Sequence, residues 1–411
     1  MYFNFIVENA LPMGRVILQI TTENDTTLSV ATPLRIAPED WDTEKERPKN
    51  IYLKIHKRLN HQLDRLRIAI AGYLKEVKQH KAVLSVKTMQ GRVGKCLKES
   101  KSHYPTDSLL HAMYQYIHSR THLITTTTYK RYQVFLRLLE RFAGHDNKQH
   151  HIEEVNAGFV KDFLAFGEKE QYSPSTVTRT LHFVRTILNY LEKRGIRTFA
   201  YELEIPKPPT KRKDFVTLSE SELAQINKTN VPKELQSVRD WLIISSYTGQ
   251  RFSDFMQFSS EQIIKVEQKQ FITFIQQKTQ KYVCLALHPI VQTILKRREG
   301  QFPPKISASV YNRKIKEVAR LAGINQEIQT RKRRGYRSHD ETLPKWQAIT
   351  SHIGRRSFAT NFYGKIPTPL LMEATGHTTE QMFQRYIGNA DTSRAAALAD
   401  HFEHIYRQRV A

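Results

Sequence analysis

The period of the apolar positions changes repeatedly along the chain, and each change marks a different kind of element. Near the start, Val16, Leu18 and Ile20 alternate with other side chains, polar TTENDTT follows, and Leu28 and Val30 resume the alternation. A period of two puts every second side chain on one face, so this stretch predicts a β-hairpin. After ATPLRIAPEDWD the period lengthens, and Leu59, Leu63, Leu66, Ile70 and Leu74 fall on one stripe of a long helix. Further on, Tyr132, Phe135, Leu139 and Phe142 form an amphipathic face that Gly144 is expected to stop. A second such face, Val177, Leu181, Val184, Leu188 and Leu191, is entered through Ser173 and Pro174 and closes near Gly195. Together with shorter helices between Ile152 and Leu164, these predict a compact all-α domain.

IPKPPTKRKDF, from Ile205 to Phe215, then breaks the pattern with three prolines and a basic run, the composition of an extended, semi-stiff connector. The following TLSESEL reads as an N-cap that opens a new domain. There Leu235, Val238, Trp241 and Leu242 mark a buried helix running to Gly249, and FITFI and YVCLAL are strand-like runs flanking QQKTQK. Ser351 and Gly364 bracket another helix, and Thr368, Pro369 and Gly376 bracket the next, which sets His377 at a helix end. The resulting division is 1–102, 103–204, a linker at 205–213, and 214–411. The chain reads as multidomain and mainly α, with a small β-rich start and an α+β end.

Composition narrows the class of partner. The chain has 411 residues, with 64 Lys and Arg against 40 Asp and Glu, a formal charge of +24. Such an excess points to a polyanion, with nucleic acid ahead of a membrane surface. No apolar run approaches the ~20 residues needed to cross a bilayer, and MYFNFIVENALPMGR lacks the features of a signal peptide. A soluble, cytoplasmic protein is the expectation. Cys96 and Cys284 are the only cysteines and lack CxxC spacing, so they read as packing residues and exclude a zinc or disulfide scaffold. His145, His150 and His151 have no accompanying Cys or helical pair and read as a solvated loop; no metal and no cofactor is expected.

Individually, the candidate chemical residues are ordinary. Arg251 follows a helix-ending glycine, with Asp254 close enough to orient it or to cap the next helix; Lys278 sits at a hairpin turn. His352 and Arg355 are three apart on one helical face, and the nearest acids in sequence, Asp340 and Glu341, precede that helix. Tyr386 stands nine residues after His377 in TGHTTEQMFQRYIG. A tyrosine of ordinary pKa, about 10, is a poor nucleophile, and only positive charge and a proton acceptor brought by other segments would make it reactive.

In order, Arg251, Lys278, His352, Arg355, His377 and Tyr386, carried by TGQRFSD, QQKTQ, HIGRR and TGHTTEQMFQRYI, resemble the signature of the tyrosine recombinase, or phage integrase, family. PLRIAPEDWD is similar to the arm-binding domain of integrases from Bacteroidetes mobile elements. The resemblance implies an N-terminal arm-binding-like domain, a helical, SAM-like core-binding domain and a tyrosine recombinase catalytic domain. It implies that Arg251 and Arg355 hold the scissile phosphate, that His352 serves as base or phosphate ligand, that Lys278 protonates the leaving 5′-hydroxyl and that His377 bonds a non-bridging oxygen. Tyr386 would form a 3′-phosphotyrosyl bond without metal or nucleotide. The implied partners are double-stranded DNA attachment sites, a homotetramer on that DNA with the carboxyl-terminal segment SRAAALADHFEHI docking in a neighbour, and an accessory DNA-bending protein. Two rival readings are a type IB topoisomerase-like nicking-closing enzyme and a DNA-binding regulator without catalysis. The basic run Arg331, Lys332, Arg333 and Arg334 reads as a phosphate contact or a solvated loop.

Overall fold

A computed structural model describes residues 1–22, 25–80, 83–98, 104–207, 216–334 and 337–387, with isolated positions beyond. Most of the Pro-rich connector, Tyr336 and nearly all of SRAAALADHFEHI lie outside the described residues. The chain divides into two compact units, Met1–Thr210 with Arg333–Ser338, and Lys211–Lys332 with His339–Ala411.

The first unit opens with an antiparallel meander, β1 (Tyr2–Val7), β2 (Gly14–Thr21) and β3 (Thr27–Ile36), in that spatial order. The sequence reading predicts β2 and β3 but not β1, whose Phe5 nevertheless joins Val16, Leu18, Ile20 and Val30 on the buried face. A small ribbon, β4 (Trp41–Asp42) and β5 (Arg47–Pro48), leads into α1 (Lys54–His80) and α2 (Val86–Lys98). The stripe Leu59, Leu63, Leu66, Ile70 and Leu74 covers the sheet as its spacing predicts, joined by Met89 and Val93 of α2. Cys96 packs beside this core.

The helical part follows as α3 (Leu109–Ser119), α4 (Thr126–Asp146), α5 (Ala157–Lys169) and α6 (Pro174–Glu192). Phe135, Leu139, Phe142, Val177, Leu181, Val184, Leu188 and Leu191 share its core. Gly144 does not stop α4; the helix continues to Asp146 and ends at Asn147, whose φ of 50° is the left-handed cap conformation. Gly144 instead permits α1 to approach, since a Cβ there would lie 3.0 Å from the Cα of Asp64. The polar side of α1 meets α4 through Asp64, which lies 3.5 Å from both Arg47 and Arg141. His61 reaches Glu140 at 3.2 Å, and Arg67 pairs with Glu46 and donates to Asn147 at 3.3 Å.

The predicted histidine loop is not simply solvated. His150 stacks on Phe142 with centroids 4.9 Å apart, and burial lowers its pKa, while His151 pairs with Asp107 at 2.7 Å. Among the described residues no group of three or more His, Cys, Asp and Glu is arranged to hold a metal ion, and no helix is long and apolar enough to cross a membrane.

In the second unit α7 (Glu220–Lys228) starts with a reciprocal cap: Ser219 accepts from the Glu222 amide, and the Glu222 carboxylate accepts from the Ser219 amide. The central helix is α8 (Lys233–Thr248), with Leu235, Val238, Trp241, Leu242, Ile243 and Ile244 all buried. A short α9 (Phe252–Phe255) leads to a meander of β6 (Ile263–Val266), β7 (Lys269–Ile275) and β8 (Tyr282–Ala286). On β8, Cys284 is exposed, contrary to the packing role expected for it. Next come α10 (Pro289–Arg297), α11 (Ala308–Leu321) and a two-stranded hairpin of β9 (Glu327–Arg334) and β10 (Arg337–Pro344). Across that hairpin Arg331 and Lys332 reach Asp340 and Glu341 at 3.7 and 3.6 Å, so part of the basic run is neutralised locally.

The chain continues through α12 (Lys345–Ala348), α13 (Ile353–Phe362), α14 (Thr368–Thr375) and α15 (Glu380–Gln384). Trp346 packs against the core around α8. The caps of two helices differ from expectation by one residue: His352, not Ser351, is the N-cap of α13, and Pro367, not Thr368, that of α14. Ser351 donates its amide to Asn312 instead.

Candidate active site

Arg251 is placed by the end of α8. Gly249 closes that helix with φ 66°, and the chain turns so that Arg251 becomes the N-cap of α9. Only glycine fits there without strain, and a Cβ at that position would also lie 2.5 Å from the Phe358 ring. Arg251 donates from Nη1 to Gln276 Oε1 at 3.2 Å and lies 4.0 Å from the buried carboxylate of Asp254. Asp254 also accepts the amide of Gln277 at 3.0 Å. Lys278 stands exposed in the turn between β7 and β8, where the sequence reading puts it.

Arg355, on the first turn of α13, is fully buried. Its guanidinium donates to the carbonyl of Gly249 at 3.0 Å and bonds His377 Nε2 at 2.9 Å, while its Nε has no protein partner. The ring of Tyr386 lies 5.2 Å from the guanidinium carbon and 4.9 Å from the His377 ring. Tyr386 is half-buried just past the end of α15, with its amide bonded to Phe383 and its carbonyl accepting from Thr360.

The proton on His377 can be assigned from its neighbours. Thr375 Oγ1 has one hydrogen, directed to the Leu371 carbonyl at 2.6 Å, and its 2.8 Å contact with His377 Nδ1 must therefore be an acceptance. Nδ1 carries the proton, and Nε2 presents a lone pair to Arg355. The ring is kept neutral: burial first, then Arg355, Arg251 and Lys281, lowers its pKa to about 3. The same crowding of cations acts on Arg355, which burial first and Arg251 second bring down to about 10, against the opposing influence of Tyr386 and Asp254. His352 is exposed at the N-cap of α13, and its pKa is lowered by partial desolvation and then by Arg356, Arg355, Arg251 and Lys278. Arg356, the second arginine of HIGRR, is half-buried near Tyr386 and also lowered by desolvation.

Arg355, His377 and Tyr386 are therefore in direct contact; Arg251 is tied through Gln276 to the Thr375 carbonyl, two residues before His377, and His352 lies within electrostatic range of Arg355, Arg251 and Lys278. Chemically this is a fixed cluster of positive charge around a phenol, with one exposed neutral imidazole, His352, able to take a proton and a second, His377, kept neutral as an acceptor for Arg355. Sequence reading passes over the polar side chains behind it, Gln250, Gln276 and Thr375, all fully buried. A signal exists for one of them. Ile272, Phe274 and Gln276 continue a single inward register, so an amide occupies a position where an apolar residue is expected.

Comparison with known proteins agrees with this architecture. Residues 15–90 match an Arm DNA-binding domain, 108–201 a phage integrase SAM-like domain and 217–393 the phage integrase family. A lambda integrase(75-356) dimer bound to a COC′ core site is similar over 68% of this chain and 95% of its own, at 13% identity and a TM-score of 0.53. A lambda integrase tetramer bound to a Holliday junction covers 74% of this chain and 86% of its own, at 14% identity and a TM-score of 0.52. The Tn1549 transposon integrase (aa 82-397) in complex with circular intermediate DNA covers 71% and 99%, at 16% identity and a TM-score of 0.50. At such identities the likeness is one of fold. No curated protein sequence matches the chain. With all three modules matched in order, the chain belongs to the phage integrase family of tyrosine-type site-specific recombinases.

Proposed function

We propose that Tyr386 is the nucleophile of a DNA strand exchange, and the observation that carries this reading is its contact with both Arg355 and His377. Attack of Tyr386 Oη on a scissile phosphorus forms a 3′-phosphotyrosyl bond as the bond to the 5′-oxygen breaks. His352, neutral at pH 7, accepts the phenolic proton, and Lys278 supplies one to the departing 5′-oxygen. Arg251 and Arg355 offset the charge that develops on the non-bridging oxygens. His377 takes a different part from the phosphate contact that the resemblance implies: its Nε2 accepts from Arg355, which makes it the guanidinium's anchor in this state. The phosphodiester energy is retained in the covalent bond, so a 5′-hydroxyl from another strand can reverse the step and complete an exchange.

The substrate is double-stranded DNA at attachment sites of a mobile element, acted on by a homotetramer, with an accessory bending protein assisting assembly. The residues match the proposed chemistry at all six positions, which favours an active enzyme over a catalytically silent regulator, and the Arm DNA-binding match favours site-specific exchange over simple relaxation.

A library of nicked duplexes with randomised arms tests the assignment, because a nick near the cleavage point lets the released fragment diffuse away and traps the adduct. The wild-type protein should become covalently joined to a restricted set of sequences through Tyr386, identified by peptide mapping. Tyr386→Phe should bind the recovered duplex with unchanged affinity and form no adduct. Adduct formation by that variant would remove the assignment.

A further inference from the structure

Behind the proposed phosphate-binding residues lies a side chain that the mechanism above does not use. Gln276 is fully buried, and its amide makes four hydrogen bonds. Its Oε1 accepts from Arg251 Nη1 at 3.2 Å and from Thr279 Oγ1 at 2.7 Å. Its Nε2 donates to Gln250 Oε1 at 3.1 Å and to the Thr375 carbonyl at 3.2 Å. The amide orientation is unambiguous, because a guanidinium can only donate and a carbonyl can only accept. Gln250 extends the chain in the same direction, donating to the Ala374 carbonyl at 2.6 Å and the Thr248 carbonyl at 2.9 Å.

The partners come from three parts of the site. Arg251 starts α9, Thr279 belongs to the turn that carries Lys278, and Ala374 and Thr375 are the last residues of α14, directly before Gly376 and His377. Gly376 has φ 70°, and a side chain there would collide with the Gln276 amide. A donor aimed at the final carbonyls of α14 is also favourable electrostatically, since a helix ends in partial negative charge.

We propose that Gln276, seconded by Gln250, is a positioning residue for the recombination reaction. It holds Arg251, the Lys278 turn and the segment leading to His377 in one frame before DNA arrives. This rests on the proposed strand-exchange function. Its physical content is preorganisation: a guanidinium already oriented needs no rearrangement as charge develops on the phosphate. Removing the amide should therefore slow the chemical step and leave DNA affinity unaltered.

Gln276→Met keeps length and apolar packing but breaks all four bonds. The substrate is the duplex that the wild-type protein traps from the randomised library, made once with a normal scissile phosphate and once with a methylphosphonate, which lacks the charge on one non-bridging oxygen. On the phosphate, Gln276→Met should cleave ten- to a hundredfold more slowly in single turnover, with duplex affinity within twofold of wild type. On the methylphosphonate the gap should narrow at least fivefold, because less charge remains for Arg251 to meet. If Gln276→Met does not fold, Gln250→Met, which removes the Gln250 bonds to Gln276, Thr248 and Ala374 but leaves Gln276 bonded to Arg251, Thr279 and Thr375, is measured the same way and should show a smaller gap that also narrows. Cleavage equal to wild type, or an equal deficit on both substrates, overturns the positioning role. Absence of any wild-type adduct would instead overturn the recombinase reading, and this inference with it.

Discussion

Two histidines near Tyr386 are held neutral, and each makes a measurable demand on pH. His377 titrates at about 3 in the folded chain against an ordinary value of 6.5. A group whose folded pKa is depressed resists protonation, so its stabilising contribution is whole above 6.5 and is lost as pH falls towards 3. Thermal melts between pH 6.5 and 4.5 should show a decline in midpoint that His377→Gln makes shallower; an identical slope in the variant would mean that other groups set the acid limit. For His352 the lowered pKa keeps the proposed base free in neutral solution. The acid limb of the cleavage rate should accordingly lie below pH 6.5, and a limb centred at or above that value would exclude His352 as the base. Arg251→Ala, which takes away a preorganised charge, should slow single-turnover cleavage about 10²- to 10³-fold. Near-normal cleavage would mean that the phosphate is held by other groups.

At the level of elements, the glycines that aim the site can be tested without touching the chemistry. Gly249 combines a left-handed φ with the Phe358 ring 2.5 Å from a hypothetical Cβ. Gly249→Ala should cost about 2 to 4 kcal/mol, combining the left-handed penalty with a forced shift in a packed core. Urea unfolding measures it, and a loss below about 1 kcal/mol would show that the turn relaxes freely. These elements also define what could be read from the sequence. The α1 stripe, the α6 face and the stop at Gly249 were legible because each is set by residues close together in the chain. Gly144 was misleading: a glycine late in a helical pattern resembles a stop when the helix that approaches it, α1, is some 80 residues away. The order of Arg251, Lys278, His352, Arg355, His377 and Tyr386 was readable as a motif, whereas Gln250, Gln276 and Thr375 derive their meaning from partners remote in sequence.

On the scale of the molecule, the interface between α1 and α4 ties the N-terminal sheet to the helical core of the same unit. Asp64 serves both Arg47 and Arg141, and all three are nearly excluded from solvent. Asp64→Ala would strand the buried Arg47 and leave Arg141 with Glu170 alone, and should destabilise this unit by about 3 to 5 kcal/mol. The six candidate residues lie in the other unit. Scanning calorimetry should therefore show loss of stability confined to one transition, with cleavage of the short recovered duplex preserved. Equal displacement of every transition would indicate that the units melt together.

The same polar seam converts spacing into phase. An arm-binding sheet on a flexible tether could find its DNA at almost any rotation about the duplex, but one bolted to the helical module looks in a single direction. Flanking DNA turns through a full circle in about 10 to 10.5 base pairs. Inserting about five base pairs between flanking and crossover sites should turn the flanking site to the far side and suppress recombination, and inserting about ten should restore much of it. A smooth decline with distance would describe a tether; an oscillation with the pitch of the double helix would be the signature of Asp64 and its two arginines, read out in DNA.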